Sequence, residues 1–300
     1  MAALSYTTSI EATDLFRISR TLASLSDDDQ AWLARARASL GLNLSLEEEV
    51  RRGVAMNQNF ITQMTMPGKC GMNELTAFGP HLRAIPQLVA RDWSCESEER
   101  NALINPILVA LQKKVSPTTR ILIPGSGLGR LMYQVAELGY SCFGTEADAL
   151  SRSVMEYMFK LGLEGDSVPL QPYVLETCNR LHHSDHIRTL RVPDTQLHVD
   201  VLARIRMVTS EIFETEKKFG AIITSPDSVT PYSVSRCRSV LLPGGAWINC
   251  GLLDEDPRPL LEGGGFQVEE FRELVAPYLC NGPSMMQTRR ACVFFVARRV

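Results

Sequence analysis

Apolar positions change their period along this chain, and the change divides it in two. Over the first 115 residues they recur at helical spacing. Ile10, Leu15, Ile18 and Leu22 mark a helix over 9–25. Ser26 followed by Asp27, Asp28 and Asp29 opens a second over 28–40, with acids in the first turn, where the helix dipole favours them. Ser45 and Glu48 have capping-box spacing for a third, running to about residue 64. Pro67-Gly68 breaks the chain, helical patterns resume over 80–91 and 97–114, and Ser116-Pro117 ends them. From residue 120 onward short β-type runs alternate with helical ones, at 120–124, 140–145, 205–209, 219–224, 245–250, 266–272 and 290–298. The last run contains Ala291–Ala297, apolar throughout, as in a strand covered on both faces. The pattern predicts an α/β fold: a helical N-terminal subdomain over 1–115, then a domain over 116–300 built on a mainly parallel seven-stranded sheet. Within the second, 163–204 lacks periodicity and carries Pro169, Pro172 and Pro193. A loop-rich insertion of that length reads as a lid or pocket wall.

Composition narrows the function classes. Apolar residues make up 45% and charged residues 22%, ordinary for a globular protein. A formal net charge of −3 gives no electrostatic footprint for nucleic acid or an anionic membrane. Arg289, Arg290, Arg298 and Arg299 cluster, but they flank an apolar run and read as its polar ends. Eight cysteines are scattered without a C-x-x-C pair, and Cys142 and Cys292 sit in apolar runs as core residues do. The sequence opens without a secretory leader and contains no run of about 18 apolar residues for a membrane span. A reducing compartment, cytoplasm or nucleus, is the expectation. His182, His183 and His186 include an i, i+4 pair, but no third ligand is nearby and no metal is expected.

The chemistry-bearing stretch is Ile121-Leu-Ile-Pro-Gly-Ser-Gly-Leu-Gly-Arg130 with Gly144-Thr-Glu146 after it. A strand meets Gly125, Gly127 and Gly129, a helix follows over 131–138, and the next strand ends on an acid. Glycines let backbone approach a ligand closely, and the helix start offers unpaired N–H groups. An acid in the position of Glu146 can hold both hydroxyls of a ribose. The dinucleotide fingerprint needs a small third residue to make room for a pyrophosphate, yet Arg130 stands there and the third glycine comes one place early. That G-x-G-x-G form is typical of S-adenosyl-L-methionine pockets. Val240-Leu-Leu-Pro-Gly-Gly-Ala-Trp-Ile-Asn249 looks like the turn and fifth strand of the same class I, Rossmann-like methyltransferase sheet.

Several further stretches resemble one family, the carnosine N-methyltransferase (N2227-like) proteins. They are Arg91-Asp-Trp-Ser94 with Glu99-Arg100, the glycine loop, Pro172-Tyr173, Asn179-Arg180, Arg191-Val-Pro-Asp194, Pro243–Asn249, and Ser284-Met-Met286 with Phe294–Arg298. The similarity runs from roughly residue 55 to 300. The resemblance implies S-adenosyl-L-methionine as cofactor and methylation of a ring nitrogen in a histidine-containing dipeptide. By it, Gly125, Gly127 and Gly129 form the cofactor loop, Gly125 beside the cofactor's amino-acid part, and Glu146 holds the ribose. Glu211 faces the adenine amine, Ile212 faces its ring, Ser225 lines the cofactor, and Arg83 is a basic cofactor contact. Asp227 falls on the family's substrate-binding aspartate.

Asp227 has a clear chemical task available. A neutral imidazole nitrogen is nucleophilic, and a carboxylate on the other ring N–H fixes the tautomer and stabilises the imidazolium formed at transfer. Its plainer alternative is an Asp in Ser-Pro-Asp-Ser that starts a turn or caps a helix. Tyr232, shortly after, is placed at the active-site mouth, with a surface role as alternative. The acceptor side departs from the family. Leu252-Leu-Asp-Glu-Asp256 is acidic where the family has a substrate-contacting histidine, and Gln287, Thr288, Arg289 and Arg290 stand where it has tyrosines. Gln287 and Arg289 are therefore candidate substrate contacts, Arg289 pairing with a substrate carboxylate or with the 254–256 acids. The expected partner is a small molecule, with a homodimer compatible. Two other readings stay open: a methyltransferase fold turned to another reaction on a specialised metabolite, such as cyclisation, or a non-catalytic cofactor-binding partner.

Overall fold

The computed structural model describes residues 6–64, 79–95, 97–214 and 219–300. The expected break at Pro67-Gly68, and Cys70, lie outside the described residues. The chain forms two compact units, one of residues 1–90, 167–192 and 281–286, the other of 91–166, 193–280 and 287–300.

The first unit is mainly helical. The segment expected as one helix is α1 (Tyr6–Ile10), a π-helical stretch Glu11–Leu15, and α2 (Phe16–Ala23). α3 (Asp27–Ser39) is capped by Ser26, whose hydroxyl accepts the Asp29 N–H at 3.2 Å. α4 (Leu46–Met64) begins with the expected reciprocal box: Ser45 N–H donates to Glu48 at 2.8 Å and Glu48 N–H to the Ser45 hydroxyl at 3.2 Å. α5 (Gly79–Trp93) follows, its last turn belonging to the second unit. The segment read as a loop-rich insertion is ordered in its middle as an antiparallel pair, β3 (Val168–Leu170) with β4 (Leu190–Val192). Fully buried Asn57 on α4 exchanges two 2.9 Å hydrogen bonds with the backbone of Gln171, which satisfies polar groups that periodicity cannot reveal.

The second unit starts earlier than residue 115. α6 (Glu98–Lys114) packs on the sheet strands β7 (Leu241–Leu252) and β8 (Phe266–Pro277), because its buried face, Leu103, Ile104, Ile107 and Leu111, needs that cover. The remaining sheet strands are β1 (Arg120–Pro124), β2 (Ser141–Thr145), β5 (Ile205–Met207), β6 (Phe219–Thr224) and β9 (Arg289–Arg299). Their spatial order is β5-β2-β1-β6-β7-β9-β8, parallel except for β9, which runs antiparallel between β7 and β8. All seven strands expected from the pattern are present. Val293 to Ala297 are fully buried, and Trp247 meets Phe266 and Phe295 edge-on at 5.3 and 5.4 Å to form the core. Cys142, Cys237, Cys250 and Cys292 are buried here. Burial pushes the Cys237 and Cys250 thiols up to about 12, so they are inert packing groups. Helices α7 (Arg130–Glu137), α8 (Ala149–Glu164), α9 (Val199–Leu202), α10 (Pro231–Val240) and α11 (Arg258–Gly263) complete the unit. Among the described residues no helix is long and apolar enough to cross a membrane.

Candidate active site

β1 and β6 are neighbours whose following connections diverge to opposite sides of the sheet, so a crevice opens beyond their carboxyl ends. Residues 125–129 follow β1 there, Glu146 follows β2, and Ser225-Pro226-Asp227 follows β6. Gly125 and Gly127 have φ of +62° and +55°, which L side chains rarely adopt, and a Cβ on Gly127 would meet nothing within 4 Å. Gly129 serves packing instead: its Cβ would stand 2.6 Å from Met155 and 2.9 Å from Phe159, both on α8. The loop is pinned from behind by buried Trp93, whose indole N–H donates to the Leu128 carbonyl at 3.0 Å.

The Glu146 carboxylate accepts the Gly127 N–H at 2.8 Å and the Asp148 N–H at 2.9 Å. One acid thus fixes the loop and the start of α8. The Asp227 carboxylate lies where a Gly125 Cβ would touch it at 3.5 Å, so the β1 and β6 loops meet. The tip of β6 is held by a buried relay: Trp247 Nε1 donates to the Thr224 hydroxyl at 2.9 Å, and that hydroxyl donates to buried Asn249 at 2.7 Å. Beyond it, Leu252 N–H donates to the Pro226 carbonyl at 3.0 Å, and Gly251 leaves room for the Asp227 backbone. The Ser225–Pro226 peptide is cis.

A narrow cleft with a volume of about 70 Å³ is lined by Gly125, Ser126, Gly127, Ser225 and Pro226, together with Arg91, Asp92, Arg100 and Arg130. Those four charged residues were not singled out as site residues from the sequence, although the Arg91-Asp-Trp-Ser94 motif was the available signal. Arg91 bonds Asp92 through two nitrogens at 2.6 and 3.0 Å. Burial works against its charge, but Asp92 and Glu99 outweigh it and hold its pKa above the usual arginine value. Glu99 is itself buried, which pushes its carboxyl up against the pull of Arg91 and of the Leu279 N–H at 2.6 Å.

The other sequence candidates have the following surroundings. Ile212, on a 3-10 turn after β5, is buried in the sheet core with Leu122, Phe143 and Phe219, and Glu211 beside it is exposed. Tyr232 is 68% exposed and accepts from Arg236 at 2.6 Å. Gln287 accepts from exposed Arg289 at 3.4 Å, and Asp256 pairs with Arg258 at 2.8 Å. Arg83 belongs to the first unit, where it pairs with Asp14 at 2.5 Å and donates to Thr13 at 3.2 Å.

A doubly wound sheet with a glycine loop after its first strand, an acid after its second and an antiparallel last strand tucked beside its fifth defines the class I methyltransferase fold. Comparison with known proteins narrows this. The carnosine N-methyltransferase family model matches residues 81–256, more than half of the chain, and the protein belongs to that family. It is 29% identical over 252 residues to carnosine N-methyltransferase of Rattus norvegicus, covering 73% of this chain and 62% of that one. It is 27% identical over 249 residues to carnosine N-methyltransferase unmet of Drosophila melanogaster, covering 71% and 54%. The chain thus spans between about half and two thirds of the length of these curated relatives.

S-adenosyl-L-methionine is the cofactor this family implies, and the donor set fits it. Glu146 is an acid just after β2 whose carboxylate meets the glycine loop at the Gly127 N–H, and open space above Gly127 leaves room for a ligand against backbone. Arginines line the same cleft for a carboxylate. A pyrophosphate is ill served, because the space a small residue would leave is taken by Arg130.

Proposed function

We propose that this protein is an S-adenosyl-L-methionine-dependent N-methyltransferase that methylates a ring nitrogen of a small histidine-like compound of the carnosine type. The reading is carried by one observation: the Asp227 carboxylate lies against Gly125, at the crevice where the glycine loop and the Ser225-Pro226-Asp227 turn converge. The cofactor, when bound, supplies a methyl group on a positively charged sulfur, which leaves as a neutral thioether.

The protein's part is positioning and charge. Asp227 accepts a hydrogen bond from one ring N–H of the acceptor, which leaves the other nitrogen unprotonated and aimed at the methyl carbon. As that nitrogen bonds to carbon, positive charge spreads over the ring and the adjacent carboxylate stabilises it. After transfer the N–H proton facing Asp227 is lost to solvent, leaving the neutral methylated ring. A preorganised charge in this place is worth on the order of 3 kcal/mol of barrier. Glu146 orients the ribose, Gly125, Gly127 and Ser225 admit the cofactor's backbone-facing edge, and Glu211 with Ile212 borders the adenine. Tyr232, Gln287 and Arg289 border the acceptor, and the long polar groups at 287 and 289 favour an acceptor with a carboxylate.

Titration calorimetry with the cofactor, and product masses after incubation with carnosine, histidine and related imidazoles, test this. The expected result is cofactor binding and a gain of one methyl group on an imidazole. Binding without any methylated imidazole would remove the acceptor assignment.

A further inference from the structure

The crevice of the second unit carries more charge than the ribose and acceptor contacts use. Arg100 and Arg130 both line it beside Gly125, Ser126 and Gly127, and each is only 8% exposed. Asp194 bridges them: one carboxylate oxygen accepts Arg130 Nη1 at 2.6 Å, and the other accepts Arg100 Nη1 at 3.2 Å. Its own side chain is 8% exposed. Arg100 Nη1 is held further by the carbonyls of Ser94 at 2.7 Å and Asp92 at 3.2 Å. The Arg130 guanidinium lies over the Trp93 ring, 5.0 Å from its centroid. The Nε atoms of both arginines are buried and have no acceptor within the described residues.

Two guanidiniums sharing one carboxylate keep a surplus positive charge and spare donor capacity. Arg130 is the first residue of α7, so that charge sits at the helix start, where anions are already favoured. A planar carboxylate matches a guanidinium fork, whereas an ammonium or an apolar group would be repelled or left unpaired. Without Asp194 the two cations would face each other, and each would gain by turning away.

We propose that Arg130 and Arg100, bridged by Asp194, receive the carboxylate at the amino-acid end of the bound cofactor, with Asp194 a positioning residue that acts through Arg130. This rests on the S-adenosyl reading given above. It explains why the loop carries an arginine where a dinucleotide site needs a small side chain: the ligand end here is an amino acid, not a pyrophosphate.

The test compares S-adenosylhomocysteine with methylthioadenosine, which share the adenosyl thioether and differ in the amino-acid end. Calorimetry on the wild-type chain is expected to show tighter binding of the former. Arg130→Met should cut that preference about tenfold, the loss of one charged hydrogen bond, with the methylthioadenosine Kd unchanged. Asp194→Asn should lower the same preference and add nothing in the Arg130→Met background. Should Arg130→Met fail to fold, Arg130→Lys, which keeps charge but not the fork, should still reduce the preference by about threefold. Equal losses for both ligands would mark a structural role and overturn the proposal. So would an Asp194→Asn effect that persists in the double variant, or a preference that rises. A wild-type chain that binds neither ligand would instead sink the cofactor reading, while an unaltered preference in all variants removes only this assignment.

Discussion

Gly251→Ala isolates the packing that carries Asp227. Gly251 lies inside β7 with ordinary strand backbone, so an added methyl introduces no torsional strain of its own. That methyl would stand 2.1 Å from the Asp227 carbonyl oxygen and 3.2 Å from the Pro226 carbonyl carbon, whereas ordinary contact begins at 3.4 Å. The obstacle is backbone, not the end of a flexible side chain, so the turn itself must retreat by about 1.3 Å, the difference between 3.4 and 2.1 Å. Overpacking of this kind costs about 1–3 kcal/mol. In a chain of this size that lowers Tm by roughly 2–10 °C. The larger effect is on rate, because a misplacement of about 1 Å at the reacting centre costs about 100-fold. Glu146, on the loop after β2, is untouched, so S-adenosylhomocysteine affinity should stay within about threefold of wild type. Circular-dichroism melts, calorimetry and single-turnover methyl transfer read the three quantities. Gly263→Ala, where a methyl meets nothing within 4 Å, is the control. A variant that melts and turns over like wild type would refute the packing of the turn on β7, and with it the means by which Asp227 is held.

Three other outcomes follow from the same geometry. Glu146→Gln keeps the shape but loses the anion that accepts two backbone N–H groups, so cofactor affinity should fall about 10- to 100-fold by calorimetry; unchanged affinity would dismiss Glu146 as the ribose anchor. Asp227→Asn should lower kcat by about 100- to 1,000-fold with little change in cofactor Kd, and an equal fall in both would point to a structural role instead. His186 is fully buried, and burial, then the Arg180 cation 2.7 Å away, hold its pKa down to about 4. The folded chain therefore refuses a proton that the unfolded chain takes up below pH 6.5. Its contribution is complete above pH 6.5 and declines as pH falls to about 4, by on the order of 3 kcal/mol in all. Urea midpoints across that range should fall with pH, and His186→Gln should flatten the slope; a variant with the wild-type slope would exclude this histidine as the source.

Much of the second unit was legible in the linear chain. Strand-length apolar runs such as 120–124 and 291–297 need no distant information, because a strand covered on both faces must be apolar at every position. The capping of α3 and α4 by Ser26, Ser45 and Glu48 involves partners three residues apart, and it reads directly. The glycines at 125 and 127, and the acid 21 positions after the first of them, announce a ligand crevice, since φ values of +62° and +55° are a local demand on the backbone.

What the chain alone left open is the choice of distant partners. Nothing in its periodicity says that Asn57 ties down residue 171, or that Arg83 is taken by Asp14. Equally hidden are the boundary at residue 90 and the purpose of Gly129, which is to let α8 approach. Asp194 reaches arginines 64 and 94 positions away, and only the folded chain brings the three together beside the glycine loop. Local sequence determines which backbone shapes are allowed and which faces must be buried. Which buried charge finds which counter-charge is decided by the closing of the sheet, because an ion pair depends on a separation of a few ångströms in space and carries no periodic signature along the chain.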